Sequence, residues 1–363
     1  MKENALNIEH TTIPDVTQYA HEEDAALGKE YEYTGETPKL HLIPKLASMA
    51  NAALNGAVGD TLQDREHVLT VTSGFYFRGN PINNVNAEYV PGSASSRKLI
   101  IFLHGACCNE RIWEFSPKSI NPESSNLKGA DTKGTNTEPT DYGIQIHDSL
   151  GYRPFYFRYN SGLSIAENGE KFAEHLSGLV DELVVDVEEI VLVGYSMGGL
   201  VMKSALAWAS KHDARFLPLI KKAFYLGSPH YGAQFEKAAK VANAVLERLP
   251  FLVTQLVSQV MGFRSQGIKD LGFGDVTPYI GDYWVEHVEH HFVGGTLHSN
   301  ERHPLSLLLG DLLVRPLSAF PVKDEGYFID RGIDYRYRLF PGVNHVQLQR
   351  NVGVLRYIEQ NLQ

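Results

Sequence analysis

Cysteine is nearly absent from this chain: there are two in 363 residues, and they are neighbours, Cys107 and Cys108. Consecutive Cα atoms stand about 3.8 Å apart across a trans peptide, closer than an ordinary disulfide prefers. No disulfide framework is available, which fits a reducing compartment. Long apolar runs are missing as well. None approaches the roughly 20 residues that a membrane span needs, and the N-terminal MKENALNIEHTTIPDV has no apolar core of a secretion signal. The expectation is a soluble, cytoplasmic protein without an integral membrane segment. Positive charge is scarce too, with 33 Lys and Arg against 43 Asp and Glu, a net charge of -10. Without a basic tract to offset that balance, a nucleic-acid partner is disfavoured.

What is present is ordinary for a globular protein: 43% hydrophobic and 21% charged residues. The length suits one large α/β core with an extension. Residues 1–38 are polar and without periodicity, and Leu40–Leu62 has Ala and Leu at helical spacing, with interruptions expected near Gly56 and Gly59. Residues 1–65 are therefore read as an N-terminal extension with a helix packing on the body, and 66–363 as the main domain.

In that domain short apolar runs alternate with amphipathic stretches. VLTVTSGFYF, KLIIFLHG, YRPFYFRYN, EEIVLVG, KKAFYLGS, VEHHFVGGTL and DYRYRLFPG read as strands. SIAENGEKFAEHLSGLVDEL, opened by Ser164 and Glu167 as a capping box, GLVMKSALAWASKH and VQLQRNVGVLRYIEQNL read as helices. The alternation predicts an α/β fold, a mostly parallel sheet covered on both faces. Two segments look inserted: a Ser-, Thr-, Asn- and Gly-rich surface loop over 114–140, and two amphipathic helices over 233–264 broken at Pro250, read as a cap above a pocket.

The chemistry centres on VLVGYSMGGL. A serine between Gly194 and Gly198, after a buried strand and before a helix, is the context of a nucleophile elbow, in which small flanking residues permit a strained turn. A serine hydroxyl is a poor nucleophile at neutral pH, so Ser196 needs a base and an oxyanion hole. The hole is expected from the amides of Met197, next after the serine, and Ala106, in the loop that follows KLIIFLHG. In the chain order serine, acid, histidine, the base is expected to be His345, in a loop after the last strand, and the acid Asp311. Asp282 and Asp330 are rival acids, and His230 is read as a pocket wall. His287, His290, His291, His298 and His303 lack metal-binding spacing, and neither a metal nor an organic cofactor is expected.

Read in order, HGACCNERIW, YNSGLSIAENG, LVGYSMGGLV, LGSPHYGA, RSQGIKDLGFGDV, GDLLVRPLSA and PGVNHVQL resemble the motif series of α/β-hydrolase esterase/lipase-like proteins. The group is a bacterial one related to GPI-inositol-deacylase-like lipases, and the similarity covers roughly residues 45–360. It implies the α/β-hydrolase fold and ester hydrolysis, with Ser196, Asp311 and His345 as triad, Ala106 and Met197 as oxyanion donors, and a cap over the pocket. One departure is that Leu312 follows Asp311 where the group has glycine. The expected function is cleavage of a small-molecule or lipid carboxylic ester through an acyl-enzyme, with an apolar acyl or aromatic group of short to medium length. An acyltransferase with the same triad, or a non-catalytic binding protein on the scaffold, are the alternatives.

Overall fold

The computed structural model describes residues 39–86, 95–115, 140–232, 265–274, 284–296, 314 and 319–363. The expected cap, Asp311 and its rival Asp282, His298, His303 and nearly all of the expected surface loop lie outside the described residues. The chain divides into two units, Met1–Leu42 and Ile43–Gln363. Of the first, only the helical turn from Lys39 is described.

Helix α1 spans Lys39–Asp64 and kinks where Val58 leaves helical geometry (φ −144°, ψ 23°), between the two glycines expected to interrupt it. The break frees carbonyls for outside donors. Ser265 uses them, its hydroxyl donating to Gly56 O (2.7 Å) and its amide to Ala57 O (3.2 Å).

The sheet is built from β1 (Gly74–Phe77), β2 (Asn80–Pro81), β3 (Lys98–Leu103), β4 (Arg153–Arg158), β5 (Glu189–Tyr195), β6 (Ile220–Leu226), β7 (Glu289–Thr296) and β8 (Tyr335–Pro341). Their order is β2-β1-β4-β3-β5-β6-β7-β8. From β4 to β8 all neighbours are parallel, while β1 pairs antiparallel with both β2 and β4. Strands β3 and β5 are buried along almost their whole length, which is why their sequences are continuous apolar runs.

Around the sheet lie α2 (Tyr142–Leu150), α3 (Ile165–Glu182), α4 (Met197–Lys211), α5 (Gln266–Phe273), α6 (Glu325–Arg331) and α7 (Val352–Leu362). One apolar cluster, with Ile101, Phe157, Phe172 and Val201, fills one face of the sheet. A second, with Ile100, Phe102, Val193 and Ile358, fills the other. Adjacent residues of β3 fall in different clusters because successive side chains of a strand point to opposite faces. This is the α/β-hydrolase fold.

Three local expectations need correction. The run VLTVTSGFYF forms a strand only from Gly74, because the backbone ahead of it is satisfied by Asn55, which accepts from Val71 N–H (2.9 Å) and donates to Leu69 O (2.7 Å). Ser164 caps α3 through the Glu167 amide (3.1 Å), but the reciprocal half of the capping box is absent: Glu167 binds Lys171 (2.9 Å) and Gln63 (3.1 Å) instead. The terminal helix is shorter than expected, since His345–Arg350 is a separate 3-10 turn and Asn351 caps α7.

Candidate active site

The parallel strands deliver their carboxyl ends to one edge, where sites assemble in open α/β sheets. Strand β5 ends at Tyr195 and α4 begins at Met197, so Ser196 alone makes the turn. Its backbone is at φ 52° and ψ −120°, a left-handed φ that L-residues adopt only under strain. Ser196 N–H donating to Leu226 O (2.8 Å) and Gly199 N–H donating to Ser196 O (3.1 Å) hold it there. The turn is so tight that a Cβ on Gly194 would stand 2.6 Å from Gly199 Cα. Glycine at 194 is a steric requirement, and a buried strand feeding a helix through such a residue is a nucleophile elbow.

His345 comes to this serine from 149 positions away in the chain. Its Nε2 lies 3.0 Å from Ser196 Oγ, and both residues are buried. His345 opens the 3-10 turn, whose cap Asn344 accepts at its backbone carbonyl from the Gln347 amide (2.9 Å) and donates its own amide to Gln347 Oε1 (2.9 Å). The Tyr195 ring packs against the imidazole at 5.2 Å between centroids. A serine hydroxyl within hydrogen-bond reach of an imidazole can pass its proton to that ring as the oxygen attacks.

The loop after β3 brings up the other expected group. Among the described residues neither the Ala106 amide nor the Met197 amide has a protein acceptor, so both N–H groups are unspent. Ala106 is held by its flanks. On one side the Cys107 amide donates to Ser161 Oγ (3.0 Å), and Cys107 itself sits at φ 59°. On the other, His104 is wedged in the interior, stacked on Tyr159 at 4.1 Å. The Tyr159 amide donates to His104 Nε2 (3.2 Å), so the ring hydrogen is on Nδ1 and donates to Gly105 O (2.8 Å). Burial, reinforced by the charge of Arg158, pulls the His104 pKa down to about 3, which keeps this tautomer neutral. Neither His104 as a brace nor the role of Ser161 was legible in the sequence, where Ser161 stood only as part of the motif YNSGLSIAENG.

Further along the loop, Glu110 receives a bidentate pair from Arg158 (2.6 and 2.7 Å) and the Gly79 amide (3.0 Å). Burial pushes the Cys107 thiol up to about 12 and the Cys108 thiol higher still, so both are protonated fillers at neutral pH. Asp311, the expected acid, and its rival Asp282 lie outside the described residues, and the rival Asp330 is exposed on α6.

The histidines of the β7 region are occupied elsewhere. His290 and His291 point to opposite faces, His290 toward Tyr225 OH (3.1 Å) and Val285 O (3.3 Å), His291 toward Tyr357 OH (2.9 Å). His287 is exposed, at 3.0 Å from Leu217 O. No group of metal-ligating side chains is found among the described residues. His230 is walled in by Tyr225, Trp284 and Phe292, and burial drives its pKa well below the ordinary histidine value. Those three rings form an aromatic box around it. Among the described residues no helix is long and apolar enough to cross a membrane.

Residues 157–277 match the family described as "Putative serine esterase (DUF676)". That segment runs from the end of β4 through the elbow and α4 past α5. No curated protein matches the sequence. Solved structures similar to this chain include an esterase from Pyrobaculum calidifontis, 12% identical, covering 90% of this chain and 96% of its own at a TM-score of 0.44. A lipase from Bacillus licheniformis is 16% identical over 80% of this chain and 96% of its own, TM-score 0.42. A lipase-esterase related protein from Clostridium acetobutylicum is 15% identical over 74% of this chain and 96% of its own, TM-score 0.40. On its own sheet order and elbow the chain has the α/β-hydrolase fold, and its central segment, residues 157–277, is similar to the serine-esterase family.

Proposed function

We propose that the protein is a serine hydrolase that cleaves carboxylic esters through an acyl-enzyme. The observation that carries the reading is the 3.0 Å contact between His345 Nε2 and Ser196 Oγ at a strained strand-to-helix turn. His345 takes the Ser196 proton as Oγ attacks the ester carbonyl. The negative charge that develops on the carbonyl oxygen is received by the Ala106 and Met197 amides. Collapse expels the alcohol, which leaves with the proton held by His345. Water then gives its proton to His345 and attacks the acyl group, and Ser196 is restored as the carboxylic acid departs. Asp311 is the acid assigned to hold the imidazole tautomer and to stabilise the imidazolium, without itself taking the proton. In the same reading residues 1–65 form an extension, residues 66–363 the hydrolase domain, and residues 233–264 cover the pocket.

Labelling with a fluorophosphonate probe tests the assignment. Intact protein is expected to become labelled and to hydrolyse simple acetate esters, and Ser196→Ala to lose both. Because triad members act as a unit, His345→Ala is expected to lower kcat by a similar factor, on the order of 10⁴ to 10⁶. An unlabelled intact protein, or a labelled Ser196→Ala variant, contradicts the proposal.

A further inference from the structure

A cleft of about 200 Å³ is lined by residues that follow Ala106 and His345 in the chain. Its walls are α1, the loop after β3 and the turn that His345 opens. Cys107 and Cys108 line it immediately after the oxyanion candidate Ala106, and Val346 lines it immediately after His345. The cleft is thus lined by the chain neighbours of both groups assigned to the proposed chemistry.

The charge of the cleft is opposite to that of the molecule. The chain as a whole carries a net charge of -10, yet among the described residues the cleft is lined by Lys45, Arg111 and Arg350 against a single carboxylate, Glu114. Glu114 is shared, binding Lys45 at 2.8 Å and Arg111 at 2.7 and 3.2 Å. One acid between two bases leaves positive charge in excess. Arg350 adds to it, for among the described residues its side chain has neither a hydrogen bond nor an ion pair. Gln349, 1% exposed, also lines the cleft, and its Oε1 is buried without a partner. A buried amide oxygen left unpaired costs about 1–3 kcal/mol, so its free amide marks a place for a polar ligand. A half-turn of that amide exchanges oxygen for N–H₂, so the same side chain can donate to a ligand oxygen.

We propose that this cleft binds an ester whose acyl or alcohol part ends in a carboxylate, with the guanidinium groups of Arg350 and Arg111 as its partners. The inference rests on the esterase reading of Ser196. It narrows the substrate from an apolar ester to a half-ester of a dicarboxylic acid or an ester of a hydroxy acid. Guanidinium suits this task because its planar fork meets both carboxylate oxygens.

The test compares pairs of esters matched in shape. Ethyl hydrogen succinate is set against ethyl isocaproate for charge in the acyl part, and acetoxybutanoate against isohexyl acetate for charge in the alcohol part. The anionic member of one pair is expected to have the larger kcat/KM, by roughly ten- to a hundredfold, the worth of a charge-assisted hydrogen bond or two. Arg350→Gln is expected to lower kcat/KM for the anionic esters, through KM, at least tenfold more than for the neutral ones, and Arg350→Lys to restore part of the preference. Cleavage of neutral esters at least as fast as anionic ones in both pairs overturns the cleft's role and leaves the hydrolase standing. So does an Arg350→Gln variant in which charged and neutral esters suffer alike. Absence of fluorophosphonate labelling, with no ester turned over, overturns the hydrolase reading and this one with it.

Discussion

At the scale of single residues the site depends as much on braces as on reacting groups. Ser196 can sit at φ 52° only because Leu226 O and the Gly199 amide fix the peptides on either side of it. His104 plays the corresponding part for Ala106. It has no contact with Ser196 Oγ, yet it links the Gly105 carbonyl to the Tyr159 amide through one neutral ring. In His104→Phe the ring stack with Tyr159 survives and both hydrogen bonds go. The buried Tyr159 amide is then unpaired, at a cost of about 1–3 kcal/mol, and the Gly105 carbonyl keeps only the Cys108 amide (3.3 Å). Thermal unfolding is expected at a lower temperature, and kcat for acetate esters is expected to fall more than tenfold with KM little changed. A variant that unfolds earlier with kcat intact would show that His104 only stabilises the loop.

At the scale of elements, α1 is fitted against the loop after β3. Gly56 meets Cys107 so closely that an added Cβ would be 2.8 Å from Cys107 Cα. The kink at Val58 turns the Gly56 and Ala57 carbonyls to Ser265, just ahead of α5. One helix thus joins the loop after β3 to α5. Gly56→Val is expected to push α1 off Cys107, costing about 1–3 kcal/mol as overpacked contacts do. Since Cys107 follows Ala106, fluorophosphonate labelling of Ser196 is expected to slow as well. An unchanged labelling rate in a destabilised Gly56→Val protein would separate the helix from the site. Legibility differed between elements for a physical reason. Strands β3 and β5 were plain as unbroken apolar runs, because burial on both faces leaves no room for polar residues. The run at Val68 has the composition of a strand, but its backbone is satisfied by the Asn55 side chain, from a helix that no local pattern connects with it.

At the scale of the whole molecule the buried histidines govern the response to acid. His104, His230, His290 and His291 all have folded-state pKa values lowered by burial, His104 and His290 to about 3 and His291 to about 4. In the unfolded chain each takes a proton near pH 6.5. Their contribution to stability is therefore complete above that pH and is lost as pH falls toward the folded values. Asp141 acts in the opposite sense. Burial outweighs its hydrogen bonds from Tyr156 and the Ile144 amide and raises its pKa to about 6. Its contribution is complete below the unfolded value of about 4 and is lost as pH rises through 6. The histidines are more numerous, so denaturant stability is expected to drop between pH 6.5 and 4.5, by up to about 4 kcal/mol per pH unit. Asp141→Asn keeps an N-cap for α2 and removes the opposing group, so its loss on acidification is expected to be steeper. Equal urea midpoints at pH 7 and pH 5 would refute the argument.

The sequence by itself determined the α/β class, the strand-turn-helix around Ser196 and the choice of His345, because each is written in local pattern or in the order of motifs along the chain. It also named Ala106 and Met197 from their positions beside a strand end and a serine. Tertiary structure decided what lies around them. It brought the His345 ring to 3.0 Å from Ser196, set His104 and Ser161 against the loop after β3, and gathered Lys45, Arg111 and Arg350 at one cleft. Those three cations come from a helix, a loop and a turn far apart in the chain. Only the folding of the sheet makes them neighbours, and charge that is dispersed in sequence becomes a field only when it is brought within a few ångströms.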